Sequence, residues 1–280
     1  MQDRIFFENI RDMNLEHVFA CGQCFRWKKL PSGNWLGVVG NYACLAKLCE
    51  ESGTLELLVS GGDREFWFNY FDLGTDYGAI KDELIRRDLS IKAATESGYG
   101  IRILRQDLYE IIISFIISQN NNIPRITKCI ETMSARYGEK IIFDAGCDGT
   151  FELYGFPEVS VLAKAEACEL AELKFGYRCD YVVAAAGRIL EKGLPASYEE
   201  LLEYLGIGPK VANCIGLFGL RDMAAFPIDT WVKKLMSDMY GFSESDVRGM
   251  RIFAEKTFGE LGGIAQQYLF NHYRNVKNKA

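Results

Sequence analysis

Lys210 and Asp229 are the two side chains of this 280-residue chain best suited to covalent chemistry. A primary amine that has shed its proton attacks an electrophilic carbon and leaves it as a Schiff base. A carboxylate nearby stabilises positive charge developing at that carbon. Catalysis built on several histidines is unpromising, because only His17 and His272 exist. The plainer readings are a solvated lysine and an N-cap aspartate for a helix from Thr230 to Tyr240. A capping carboxylate is held rigidly, so the second reading is compatible with a chemical role.

Both residues lie within one organising stretch, Leu201 to Thr230. Gly206-Ile207-Gly208 makes a sharp turn between two apolar runs that read as helices, a hairpin over 201–219. Pro209 suits the first position of the second helix, where an N–H would have no partner. Glycines at such a turn bring backbone N–H groups close to a phosphate, and the helix N-terminus adds a favourable dipole. Contacts of this kind bind DNA without reading sequence. The alternative is an ordinary helix–turn–helix junction, with glycine capping one helix and proline opening the next.

Composition bounds the rest. Apolar residues make up 49% and charged residues 25%, as in an ordinary globular protein. No apolar run is long enough to span a bilayer, and the N-terminus lacks a signal-peptide core. A net charge of −6 does not advertise a nucleic-acid partner, although a local basic face would suffice. Nine scattered cysteines suit reduced thiols in a cytosol. Cys21 and Cys24 with Cys44 and Cys49 are the one candidate zinc set, and small buried thiols are the plainer reading. No cysteine follows Cys214, which excludes a four-cysteine cluster after the hairpin.

Along the chain, residues 1 to about 100 read as strand-rich. Phe25–Lys28, Trp35–Val39, Tyr42–Leu45 and Leu55–Val59 are short strands separated by turns, and the links are too short for anything but an antiparallel sheet. Helices follow over Asp63–Tyr70 and Tyr77–Arg87. From residue 105 the chain turns helical. Asp107 to Glu110 and Ser197 to Glu200 read as capping boxes. Helices are expected over Leu108–Ser118, from Pro124 to Tyr137, Ser160–Leu173, Arg178–Lys192, Asp229–Tyr240, Ser243–Phe258 and Gly263–Asn275. The fold class is therefore α+β: an N-terminal sheet domain, 1–104, followed by a helical region, 105–280.

Gly206 to Cys214 with Pro227-Ile228-Asp229 resembles the helix-hairpin-helix plus Gly/Pro-Asp signature of base-excision DNA glycosylases. Further pieces narrow the resemblance: Gly22-Gln23-Cys24-Phe25-Arg26-Trp27, Arg105-Gln106-Asp107, Ser118 to Ile126 (SQNNNIPRI), Gly176-Tyr177-Arg178, and Ala265-Gln266 to Phe270. Together, over about Leu15 to Phe270, they resemble 8-oxoguanine DNA glycosylase/lyases of the eukaryotic type, a type also found in some bacteria.

The resemblance implies a bifunctional enzyme without cofactor or metal. It would excise 8-oxoguanine paired with cytosine from duplex DNA and cleave the abasic strand by β-elimination. Lys210 would be the nucleophile, a desolvated amine, and Asp229 its electrostatic partner. The damaged base carries a hydrogen on N7 where guanine has a lone pair, so one fixed acceptor distinguishes them; the resemblance places it on the Gly22 carbonyl. It implies that Phe270 stacks on the everted base, Cys214 covers the other face and Gln266 bonds its edge, with a lysine–thiolate pair at Lys210 and Cys214 as a possible dipole. Asn120 would fill the hole in the duplex, Arg125 and Arg178 would bond the orphaned cytosine, and Tyr177 would wedge beside it. Gly206 and Gly208 would meet the phosphates. Spacing alone supports only that Lys210 with Cys214, and Gln266 with Phe270, share helix faces.

Two departures stand out. Thr230 and Trp231 occupy the region where the eukaryotic enzymes carry a phosphate-contacting histidine, and the N-terminal domain is shorter and cysteine-rich. The alternatives are an alkylated-base glycosylase of the same superfamily, against which Lys210 and the Asn120–Asn122 run speak, or a non-catalytic DNA-binding hairpin protein. The expected state is a monomer working on DNA in a prokaryotic cytoplasm or a nucleus.

Overall fold

The computed structural model describes residues 2–279. The elements run β1 (Asp3–Phe7), α1 (Leu15–Ala20), β2 (Trp27–Lys29), β3 (Trp35–Val39), β4 (Tyr42–Cys49), β5 (Thr54–Val59), α2 (Arg64–Tyr70), α3 (Tyr77–Arg87), α4 (Lys92–Ser97), α5 (Leu108–Ser118), α6 (Ile123–Tyr137), β6 (Lys140–Asp144), β7 (Thr150–Tyr154), α7 (Val159–Leu162), α8 (Ala167–Glu172), α9 (Cys179–Lys192), α10 (Tyr198–Leu202), α11 (Pro209–Ile215), α12 (Thr230–Tyr240), α13 (Val247–Phe258) and α14 (Gly262–Lys279). The class is α+β, an antiparallel five-stranded sheet followed by a helical region.

Strand order in the sheet is β1-β5-β4-β3-β2, every pair antiparallel. Short turns such as Gly40-Asn41 force that pairing. β1 was not expected from the sequence; it pairs with β5 along the edge, Ile5 opposite Leu57. One sheet face, with Trp35, Ala46, Leu55 and Leu57, packs on Phe19 of α1, Trp67 of α2 and Phe71 just after it. The other, with Leu36 and Ala43, packs on Phe143 and Leu153 of the β6–β7 hairpin, which the sequence reading also missed. The hairpin arrives from far along the chain, so its apolar residues had no visible partner.

The helical core centres on α5, whose residues Ile111 to Ile117 are all buried. Asp107 caps α5 by accepting from the Glu110 N–H at 2.9 Å, but the reciprocal half of the expected box is missing. Glu110 instead pairs with Arg26 at 3.3 Å, joining α5 to the sheet domain. The single helix expected over Ser160–Leu173 is two short ones, α7 and α8, because Glu166 starts a new helix where Glu169 caps its N–H at 3.2 Å.

Asp72 locks the two regions together. It is buried, sits at φ +51°, and accepts from Arg105 (2.8 Å), Arg221 (3.1 Å) and the Tyr77 hydroxyl (2.9 Å). Arg221 follows the π-helical continuation of α11, so this carboxylate ties the hairpin helix to the N-terminal domain.

Candidate active site

The hairpin turn forms as its glycines require. Gly206 has φ +82°, and any Cβ there would run into the Tyr181 ring. Gly208 is different. It is an extended N-cap residue at φ −95°, and an added Cβ would meet nothing. Nothing inside the protein demands a glycine at 208, whereas an external backbone approaching closely would. Pro209 opens α11, and the Ala212 N–H donates to the Gly208 carbonyl at 2.9 Å.

α11 presents Lys210 and Cys214 one turn apart. Asp229 is the N-cap of α12, its Oδ1 accepting from the Val232 N–H at 2.8 Å. The loop through Pro227 brings that cap back to α11, so Lys210 and Asp229 line one cavity of about 680 Å³. Gly22, Cys214, Gln266 and Phe270 line the same cavity. A space of this size suits a small organic ligand such as a nucleotide.

The remaining walls come from elements remote in sequence. Gly22 makes a left-handed turn at φ +88° between α1 and β2; an added Cβ would find only Ile123 at 3.9 Å, so the dihedral, not the space, requires glycine. Gln23 holds this turn. Its side chain is fully buried, donates to Val18 O (2.9 Å) and Arg102 O (2.7 Å), and accepts from the Leu104 N–H (2.9 Å). The sequence reading gave Gln23 no separate role, since a polar residue in a motif does not announce its direction. Phe270 is half-buried on α14, one turn from Gln266. Phe115 and Phe218 stack at 5.5 Å beside the cavity; as members of apolar runs they carried no signal of their own.

Two expectations are corrected. Lys210 is exposed, not desolvated. The Cys214 thiol is pushed up by burial and by Asp229's charge, while Lys210's charge and a hydrogen bond from it pull down. Burial wins, so the free site favours a neutral thiol over a thiolate.

Asn120, Arg125, Tyr177 and Arg178 lie around the turn that ends α5 and are not among the residues lining the cavity. Asn120 is exposed in the left-handed region at φ +46°, a conformation asparagine tolerates better than most residues. Arg125 and Tyr177 are exposed. Arg178 is not an open surface fork: it is buried, donates to the Gln119 (2.8 Å) and Asn120 (3.0 Å) carbonyls, and stacks on Tyr177 at 4.4 Å. Arg125 donates instead to the Lys174 carbonyl at 3.3 Å, and the Tyr177 hydroxyl to the Gln119 carbonyl at 3.4 Å. Trp231, in place of the eukaryotic histidine region, lines the cavity and is partly exposed.

A glycine hairpin, an aspartate that caps α12 and a cavity lined by a lysine are the arrangement that the base-excision DNA glycosylase signature implies. Residues 5–112 match the 8-oxoguanine DNA glycosylase N-terminal domain, and residues 113–258 match the HhH-GPD superfamily of base excision DNA repair proteins. The chain is 30% identical to a probable N-glycosylase/DNA lyase of Methanothermobacter thermautotrophicus over 95% of each chain, and 28% identical to the N-glycosylase/DNA lyase of Saccharomyces cerevisiae over 94% of this chain and 84% of that one. The fold superposes with a TM-score of 0.88 on the Clostridium acetobutylicum 8-oxoguanine glycosylase/lyase bound to duplex DNA with cytosine opposite the lesion, at 36% identity, covering 100% of this chain and 99% of that one. The chain belongs to the 8-oxoguanine DNA glycosylase family.

Proposed function

We propose that this enzyme everts 8-oxoguanine paired with cytosine from duplex DNA and removes it with Lys210 as nucleophile, Asp229 beside the sugar, and β-elimination to follow. It is a DNA glycosylase with abasic-site lyase activity. One observation carries the residue assignment: Lys210 and Asp229, the N-cap of α12, line one cavity whose walls also hold Gly22, Cys214, Gln266 and Phe270.

The Lys210 amine attacks C1′ as the C1′–N9 bond breaks, its electrons leaving with the base, which takes up a proton. Asp229 stabilises the positive charge at C1′ and is already fixed by capping α12. Opening of the sugar ring gives an imine. Loss of a C2′ proton then expels the 3′ phosphate, and water releases the lysine. A nucleotide seated in the cavity would shield the exposed Lys210 from water. Phe270, Cys214 and Gln266 enclose the base, and the Gly22 carbonyl receives N7–H. Asn120, Tyr177, Arg125 and Arg178 stand at the opposite strand; Arg178 reaches cytosine only by releasing the Gln119 and Asn120 carbonyls. Gly206 and Gly208 bind backbone phosphate. No helix among the described residues is long and apolar enough to cross a membrane. The enzyme works as a monomer where DNA is, in a prokaryotic nucleoid or a nucleus.

Incubation with an 8-oxoguanine duplex and borohydride, which reduces the imine, should give a covalent protein–DNA adduct. Lys210→Gln should remove the adduct and keep duplex binding. An adduct that survives the substitution would overturn the assignment. The alkylated-base alternative predicts excision without any adduct.

A further inference from the structure

Gln266 and Gln267 are neighbours on α14, both buried at 4% exposure and both on the cavity wall. The Gln267 Nε2 donates to the Gln266 Oε1 at 2.6 Å. One helical turn on, Asn271 is also buried. The Gln267 Oε1 and the Asn271 Nδ2 are buried with no hydrogen-bond partner among the described residues. An acceptor and a donor thus lie unpaired on the same helix face, at positions i and i+4. Each can supply what the other lacks, and such a bond would run in the same direction as the Gln267–Gln266 one.

We propose that Gln267 is a specificity-determining positioning residue: it fixes which end of the Gln266 amide meets the base, and so selects 6-keto over 6-amino purines. The proposal rests on the reading of the cavity as a base-excision site. A glutamine amide has a donor end and an acceptor end of nearly equal shape, and an unrestrained one turns to suit either partner. Here Gln267 engages Oε1, which leaves Nε2 as the free donor. A 6-keto purine offers O6 as acceptor beside N1–H, whereas a 6-amino purine offers a donor and a bare N1. The fixed donor matches the first and opposes the second. Oε1 keeps a second lone pair, which can accept N1–H. Gln267 does not touch the base in this scheme; it acts through Gln266.

The test is single-turnover excision of 8-oxoguanine and 8-oxoadenine, each opposite cytosine, by the wild-type chain, Gln267→Leu and Gln267→Glu. Thermal denaturation confirms that each variant is folded. The rate ratio for 8-oxoguanine over 8-oxoadenine should fall about tenfold or more in Gln267→Leu, which lets the amide turn. It should fall further in Gln267→Glu, whose acceptor oxygens draw the Gln266 Nε2 inward and turn its carbonyl to the cavity. A loss of packing alone would slow both substrates together. Folded variants with the wild-type ratio would overturn the proposal while leaving the glycosylase reading intact. A wild-type chain inactive on both duplexes would overturn that reading and this proposal with it. Should both variants fail to fold, Gln267→Met, closer to glutamine in shape, reads the same ratio, and an unchanged value there overturns the proposal.

Discussion

Arg274 lies over the ring of Phe270, its guanidinium carbon 5.4 Å from the centroid, and donates to the Ala20 carbonyl at 2.7 Å. One side chain thus fixes an aromatic wall of the cavity to the segment just before Gly22. A cation–π contact at a partly exposed site is worth about 0.5–1 kcal/mol, and a charged hydrogen bond adds about as much. Arg274→Ala should therefore lower the melting temperature by a few degrees and weaken binding of an 8-oxoguanine duplex roughly tenfold, as thermal denaturation beside a fluorescence anisotropy titration would show.

The two hairpin glycines should separate fold from function. Gly206→Ala forces a Cβ into Tyr181 at a positive φ and should lower the melting temperature by several degrees. Gly208→Ser has open space and a good N-cap side chain, so its melting temperature should hold or rise slightly. Its affinity for undamaged duplex should nonetheless drop, since the added side chain stands where phosphate would approach. Calorimetry beside filter binding measures both, and a Gly208→Ser chain that binds DNA normally would remove the hairpin from the interface.

Asp229 combines capping with proposed catalysis, and two substitutions divide the roles. Asn caps as well as Asp, so Asp229→Asn should keep its stability within about 0.5 kcal/mol while excision falls by orders of magnitude. Asp229→Ala should lose about 1 kcal/mol as well. Urea unfolding set against single-turnover excision tests the pair.

Burial disfavours Asp72's charge, but Arg221, the Tyr77 hydroxyl and Arg105 overcome it and hold its carboxyl below the usual carboxylate range. A carboxylate with a depressed folded pKa stabilises fully above its unfolded value, near 3.9, and loses that contribution as pH falls through the folded value. Wild-type stability should therefore decline below about pH 4, and Asp72→Asn should lack that part of the decline. At neutral pH the substitution leaves Arg105 and Arg221 without their counter-charge. Because both are partly exposed, at 49% and 25%, the loss should be about 2 kcal/mol. Urea titrations from pH 3 to 7 provide the check.

Thiol labelling should follow the same electrostatics. Hydrogen bonds from Ser52 hold the exposed Cys49 below the ordinary thiol range, while burial holds Cys214 above it. Iodoacetamide at pH 7 should modify Cys49 well before Cys214, with excision retained, as mass spectrometry of timed digests would reveal. Early loss of activity with Cys214 alkylation would restore the thiolate reading.

The parts of this molecule written in short-range chemistry were legible in its sequence. Gly206, Pro209 and Asp229 each state a backbone geometry through local sterics or capping, and the structure places them so. That Lys210 and Asp229 line one cavity, and that Lys210 is exposed there, depends on how the walls of a cleft pack and was not legible from spacing. Arg178's burial was not legible, because its partners, the carbonyls of Gln119 and Asn120, become neighbours only after α5 and α9 pack. The β6–β7 hairpin was missed for a similar reason: its apolar residues gain meaning only against a sheet made a hundred residues earlier.

That hairpin has a practical consequence. Leu36 and Ala43 are covered by Phe143 and Leu153, so the five strands obtain part of their shelter from a segment synthesised long after them. A fragment ending near residue 104 would carry a naked greasy face and should precipitate, and one extended through Tyr154 covers that face but leaves α5 without the later helices that bury it. Nascent chains on the ribosome face the same exposure until that later segment emerges.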